Sequence, residues 1–179
     1  MGSEMCIRDR ANTTLTVLGF LRSFLEVKLG FSLRRNRVES IYNYHRLPFG
    51  LRTSGQPLES QFRSIKDSGI EAVLNLAPAS AENALANESD VVTKNNLKYI
   101  HLPVNFKAPT DDDFRKFVEV INKFGVDSLW VHCAANMRVS AFVYRYRIEK
   151  LGHSKAVAEK DLSKIWEPFG VWKDFIKSK

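Results

Sequence analysis

Cysteine is scarce in this chain. Two in 179 residues exclude a disulfide framework. Nine glycines and six prolines are too few for a collagen-like or low-complexity chain. Long apolar runs are also missing: the longest uncharged stretch near the start, residues 11–21, is followed by Arg22, Glu26 and Lys28, whereas a membrane span needs about 20 apolar residues. Acidic residues are outnumbered by basic ones, giving a net charge of +7. What is present is 44% apolar and 11% aromatic residues, enough for one domain with a sizeable core. Disorder and a multi-domain architecture are thereby excluded.

The first ten residues, Met1-Gly2-Ser3-Glu4-Met5-Cys6-Ile7-Arg8-Asp9-Arg10, match the translation of a sequencing-adapter string read from a GTG start. We expect them to be extraneous and set them aside, as for any fusion scar. They carry two arginines and two acids, so the charge of +7 stands and Cys6 leaves the argument. On this reading the true N-terminus is missing, and a signal peptide can be neither asserted nor denied. After them, Leu18, Leu21, Leu25 and Leu29 fall on one helical face with Arg22 and Glu26 opposite, and Gly30 ends the helix. An ordinary apolar face predicts a helix packed on its own domain.

Farther on, short apolar strands alternate with helices. Thr53-Ser54-Gly55-Gln56-Pro57 reads as a turn into a helix, with Pro57 in its first turn, Leu58, Phe62 and Ile65 on one face and Gly69 as the stop. Ala72-Val73-Leu74-Asn75-Leu76 reads as a buried strand, and residues 78–96 as a polar loop with a helix around Val91. Residues 99–104 form a second strand. Thr110 with Asp113 makes a capping box for a helix carrying Phe114, Phe117, Val118, Ile121 and Phe124, closed by Gly125. Ser128-Leu129-Trp130-Val131-His132 is a third strand, followed by a loop, a helix over residues 140–150, and two further helical stretches, 154–166 and 171–176. The alternation predicts an α/β fold with a central, mostly parallel sheet flanked by helices.

Chemistry concentrates where the third strand ends. His132-Cys133 is followed by four residues, then Arg138, then a helix. A loop at a helix N-terminus offers backbone N–H groups and the positive end of the helix dipole, which together hold an anion. A cysteine at the mouth of such a loop, near an arginine, is a good nucleophile, and a guanidinium meets two phosphate oxygens at once.

The stretch Val131-His132-Cys133-Ala134-Ala135-Asn136-Met137-Arg138-Val139-Ser140 resembles the signature loop of the cysteine-dependent protein tyrosine and dual-specificity phosphatases. Ser54-Gly55-Gln56-Pro57, Val73-Leu74-Asn75-Leu76, and His101-Leu102-Pro103-Val104-Asn105 with Ala108-Pro109 are similar to the small bacterial branch of that superfamily. The resemblance implies a phosphatase-like domain over residues 38–179, preceded by a helix and basic linker over residues 11–37. It also implies a reaction in which Cys133 forms a cysteinyl-phosphate and His132 orients or tunes it. Ala134, Ala135, Asn136, Met137, Arg138 and Ser140 would bind the phosphate, and the acid position would be held by Asn105.

This sequence departs from the family pattern at four points. The loop has four residues between Cys133 and Arg138 where five are usual, a spacing shared with many rhodanese-like sulfurtransferases. Asn136 stands where a glycine is common, and asparagine is the next best residue for a positive φ. Val139 separates Arg138 from Ser140, which a helix N-cap explains equally well. Asn105 replaces an aspartic acid, and Asp111, Asp112 and Asp113 nearby read more simply as charges favouring a helix N-terminus. Losing a general acid costs roughly 10²–10⁴-fold, so slow turnover or turnover of good leaving groups is expected.

The remaining candidates are weaker. His45, His101 and His153 lack ligand spacing, so no metal or other cofactor is expected. Gln56 and Asn75 lie near strand ends, where structural roles are the simpler reading. Arg34-Arg35-Asn36-Arg37 without interleaved aromatics does not suggest nucleic acid. The expected partner is a phosphorylated protein or small molecule, the expected location is the cytoplasm, and oligomeric state is not readable. Two other readings stand beside hydrolysis: a sulfurtransferase carrying a persulfide on Cys133, and a silent phosphate-binding module.

Overall fold

The computed structural model describes residues 3–29 and 37–177, the first helix by its backbone alone before residue 12 and at residue 29. The order is α1 (Ser3–Leu29), a 3₁₀ turn (Val38–Ser40), β1 (His45–Arg46), β2 (Arg52–Ser54), α2 (Gln61–Asp67), β3 (Ala72–Asn75), α3 (Glu88–Lys94), β4 (Lys98–His101), α4 (Asp111–Phe124), β5 (Leu129–His132), α5 (Met137–Glu149), α6 (Lys155–Leu162) and α7 (Val171–Phe175). Arg34, Arg35 and Asn36 of the basic cluster and the Gly30 stop lie outside the described residues.

The strands form one sheet in the order β1-β2-β5-β3-β4. All neighbours are parallel except the edge pair β1–β2, as the alternation of strands and helices requires. Every residue of β3 and β5 is buried, because helices cover both faces of the sheet. Leu74 and Val131 face a core shared with Phe114 and Phe117 of α4 and Phe142 of α5. Val73 and Trp130 point the other way, onto Phe62 and Ile65 of α2 and Val91 and Val92 of α3. Burying each such side chain contributes ~1.5–3 kcal/mol.

The helix-forming signals act largely as read. Thr110 and Asp113 make a reciprocal capping box at α4, with Phe114, Phe117 and Ile121 buried and Gly125 ending the helix at φ 76°. Pro57, however, is not in the first turn of α2. The Leu58 N–H donates to Gln61 Oε1 at 2.9 Å and the Gln61 N–H to the Leu58 carbonyl at 2.9 Å, so a separate capped turn precedes the helix. Thr53 and Ser54 belong to β2 rather than to a turn. Its three residues are too few to show a period. The fourth strand stops at His101, because Pro103 lacks an N–H for the ladder.

Helix α1 packs on the domain with the face opposite to that expected. Leu18 and Leu21 are 57% exposed and Leu25 55%, whereas Thr16, Ser23 and Glu26 are buried. Two contacts explain the reversal. A Cβ on Gly19 would lie 2.6 Å from Tyr42 Cε2, so only glycine lets the helix approach that ring. Thr16 Oγ1 donates to the Ile165 carbonyl at 2.6 Å. Among the described residues no helix is long and apolar enough to cross a membrane.

Candidate active site

Strand β5 delivers His132 and Cys133 to the C-terminal edge of the sheet, the end at which open α/β sheets bind ligands. The chain then turns back into α5. Asn136 makes that turn in the left-handed region, at φ 64° and ψ 0°. Its Nδ2 donates to the Asn43 carbonyl at 2.8 Å and to Thr53 Oγ1 at 3.1 Å, so the amide is turned into the protein and away from the loop's open side. The loop carbonyls are fixed from outside too. The Ala134 carbonyl accepts from the Gln56 N–H at 3.2 Å and from Asn83 Nδ2 at 3.0 Å, and the Ala135 carbonyl accepts from Asn43 Nδ2 at 3.1 Å. With the carbonyls held outward, the N–H groups of the first turn of α5 are left for an anion.

Cys133, Ala134, Ala135, Met137 and Arg138 line one side of a cavity of about 220 Å³. Phe106 faces them, and Thr16, Val17 and Phe20 of α1 complete the wall. Arg138 is 9% exposed. Its Nε donates to the Val104 carbonyl at 3.0 Å, and its guanidinium lies 5.0 Å from the centre of the Phe106 ring. Phe106 is anchored through its carbonyl, which accepts from Trp172 Nε1 at 2.9 Å. The guanidinium is thereby oriented at Nε, with Nη1 and Nη2 unpartnered among the described residues.

His132 sits behind the loop, fully buried. Burial pushes its pKa down, against the opposing pull of the Glu88 carboxylate, so the imidazole is neutral near pH 7. Its Nε2 lies 3.3 Å from Glu88 Oε1, at an angle outside a hydrogen bond. Glu88 is itself 5% exposed and is the hub of a polar cluster. Gln56 Nε2 and Asn75 Nδ2 donate to its two oxygens, each at 2.5 Å, and the Tyr99 hydroxyl donates at 2.9 Å. This gives Gln56 and Asn75 the structural roles expected of them. Glu88 and Tyr99 were not legible as partners of the loop. An acid in the first turn of α3 reads from sequence as a helix-dipole charge, and nothing local announces that it is buried.

The other sequence candidates stand off the cavity. Ser140 donates to the Met137 carbonyl at 3.0 Å and accepts from Trp166 Nε1 at 3.1 Å. It lines a small enclosed space with His45 and Asp161 rather than the cavity above Cys133. Asn105 is exposed, and its Oδ1 accepts from the Lys107 N–H at 3.0 Å, a side-chain turn that shapes the loop beside Val104. Asp111 pairs with Arg145 at 2.9 Å and Asp113 caps α4. Asp112 is held by hydrogen bonds from Lys116 and Arg115, which push its pKa down, the wrong direction for an acid that must keep its proton. Among the described residues no carboxylate lines the cavity, and no group of three His, Cys, Asp or Glu is placed to hold a metal ion.

A cysteine and an arginine on one short loop, at the N-terminus of a helix that follows a central parallel strand, agree with a family match over residues 39–168, described as a dual-specificity and tyrosine phosphatase domain fused to NAD+ kinase. The chain belongs to this phosphatase family. Its fold matches a DUF442 phosphatase from Shewanella putrefaciens CN-32, with a TM-score of 0.68 and 28% identity over 78% of this chain and 91% of that one. It also matches the core catalytic domain of the PP-IP phosphatase SIW14 from S. cerevisiae, at TM-score 0.63 and 14% identity over 76% and 85% of the two chains. A third match is P. aeruginosa TpbA in complex with phosphotyrosine, at TM-score 0.56 and 14% identity over 73% and 75%. The last two likenesses bear on the fold alone. No curated protein gives a significant match. Family membership confirms the resemblance read from residues 131–140.

Proposed function

We propose that the protein hydrolyses a phosphate monoester by two displacements at Cys133. The observation that carries this reading is that Cys133 and Arg138 border one cavity, at the start of a helix whose preceding loop has its carbonyls held outward. In the first step the Cys133 sulfur attacks phosphorus, the S–P bond forms and the P–O ester bond breaks. The first-turn N–H groups and Nη1 and Nη2 of Arg138 hold the equatorial oxygens as charge develops on them. In the second step water attacks the cysteinyl-phosphate, releasing inorganic phosphate and returning the sulfur as thiolate.

Protonation of the leaving oxygen falls to solvent, since no carboxylate among the described residues lines the cavity and Asn105 has no acidic proton. Neutral His132 holds the strand end behind the nucleophile and takes no proton from the ester. Hydrolysis of p-nitrophenyl phosphate tests the proposal. Turnover vanishes in Cys133→Ser and falls by roughly 10²-fold or more in Arg138→Ala. Equal turnover by Cys133→Ser overturns the reading, and a Cys133-dependent transfer of sulfur from thiosulfate to cyanide in its place points to a sulfurtransferase.

A further inference from the structure

We propose that α1 is a wall of the active site, and that Val17 and Phe20 restrict it to substrates whose single phosphoryl group is carried on a compact apolar body. The substrate class rests on the phosphatase reading above; the wall does not.

The helix is registered to the loop. Asn43 Nδ2 donates both to Thr16 Oγ1 and to the Ala135 carbonyl, each at 3.1 Å, so one amide ties α1 to the cradle. The Tyr42 hydroxyl donates to the Thr16 carbonyl. The same tyrosine ring lies between two glycines that accept no side chain: Gly19 of α1, and Gly55, where a Cβ would lie 2.5 Å from Tyr42 Cδ1 and 3.1 Å from the Ala134 carbonyl oxygen. Toward the helix N-terminus, Asn12 Nδ2 donates to the Ser163 carbonyl at 2.8 Å and Thr13 Oγ1 accepts from the Glu167 N–H at 2.8 Å. These contacts set where Val17 and Phe20 stand relative to Cys133.

The chemistry of the wall defines what fits. Val17, Phe20, Phe106 and Met137 are apolar, and among the described residues Arg138 is the one charged side chain on the cavity, although the chain as a whole carries +7. A second phosphate would meet this hydrocarbon with no cation to pair with among the described residues, and an unpaired charge held against an apolar wall is costly. An apolar cavity of about 150 Å³ accommodates benzene. The 220 Å³ here therefore suits a single ring with its phosphoryl group, and a fused bicyclic ester would press against Val17 and Phe20 at its edge.

Alkylation of Cys133 in the full chain, read by mass spectrometry on the peptide carrying it, tests the wall without requiring any hydrolysis. Iodoacetamide is expected to react at least about tenfold faster than an N-naphthyl iodoacetamide, a size discrimination of the order one or two methylenes give in an apolar pocket. Phe20→Ala is expected to bring the two rates within about threefold, and Val17→Trp to slow both. Both positions lie on the helix surface, and far-ultraviolet circular dichroism checks that α1 is retained. A rate ratio unchanged in Phe20→Ala, or no slowing in Val17→Trp with the helix intact, overturns the wall. The substrate class is tested in parallel: wild type is expected to prefer phenyl phosphate to naphthyl phosphate and to reject inositol hexakisphosphate, and Phe20→Ala to lessen the first preference about tenfold. Comparable turnover of the polyphosphate overturns the substrate class. The predicted alkylation pattern without hydrolysis of any ester leaves the wall standing and rejects the phosphatase reading.

Discussion

Asn136 Nδ2 donates to the Asn43 carbonyl at 2.8 Å, and both asparagines hold left-handed backbones, at φ 64° and 48°. Two residues far apart in sequence thus lock the turn of the Cys133–Arg138 loop to the segment on which α1 rests. Asn43 answers by donating its own amide to the Ala135 carbonyl. Asparagine tolerates this left-handed φ and adds two hydrogen bonds that a glycine could not make.

Replacing Asn136 separates those two contributions. Asn136→Gly keeps the backbone accessible but loses the bonds to Asn43 and Thr53, costing ~1–2 kcal/mol. Asn136→Ala loses the same bonds and adds left-handed strain, costing about 1 kcal/mol more. Urea unfolding is expected to rank the proteins wild type, Gly, Ala. Activity follows the same order, because the strain acts on the loop itself.

Removing Glu88 disturbs the loop from behind. Glu88→Ala strands the buried amides of Gln56 and Asn75 and the Tyr99 hydroxyl, and is expected to cost ~3 kcal/mol or more. Glu88→Gln fills the same space and keeps part of the network, so its loss is smaller. Equal stabilities of the two variants by urea unfolding contradict the hub assigned to Glu88.

The lack of a carboxylate on the cavity among the described residues predicts a steep dependence of turnover on the leaving group. Across a series of substituted phenyl phosphates, kcat/KM is expected to rise strongly as the phenol becomes more acidic. Asp111→Asn, Asp112→Asn and Asp113→Asn each leave that slope unchanged. A flat dependence, or a slope that steepens in one of these variants, identifies an acid that acts on the ester.

Stability is expected to fall with acid in two windows. Burial pushes His45 and His132 below the ordinary histidine value near 6.5, against the opposing pull of Asp161 and Glu88 respectively. The unfolded chain therefore protonates first as the pH drops through about 6.5, and stability declines from there toward the folded values. Burial raises Asp161, but hydrogen bonds from Lys164, His45 and Arg147 outweigh it and hold the group at about 2. Its contribution is complete above the unfolded value near 3.9 and is lost as the pH falls toward 2. It amounts to about 2 kcal/mol. Thermal melting against pH is expected to show both declines, and Asp161→Asn to flatten the lower one.

The fold was legible wherever a periodic apolar pattern ran for four residues or more. β3, β5 and α4 follow from such runs and from the Thr110–Asp113 cap. β1 and β2 did not, because two or three residues show no period. The loop residues Cys133 and Arg138 were legible through their spacing and their place between strand and helix. Glu88, Tyr42, Asn43 and the α1 wall were not, because each acts through contacts distant in sequence. The leucines of α1 misled for a related reason: a hydrophobic face predicts burial only where nothing holds the helix more tightly by another face, and Gly19 on Tyr42 does so here.

The proposed hydrolysis requires a covalent bond between the Cys133 sulfur and phosphorus. Acid-quenching the wild-type enzyme during turnover of p-nitrophenyl phosphate, then sequencing its peptides by tandem mass spectrometry, tests it most directly. A phosphoryl group on Cys133, lost on further incubation without substrate and absent from Cys133→Ser, is the predicted result. Steady hydrolysis with Cys133 unmodified at every quench time, or a phosphoryl group carried by another residue, contradicts it.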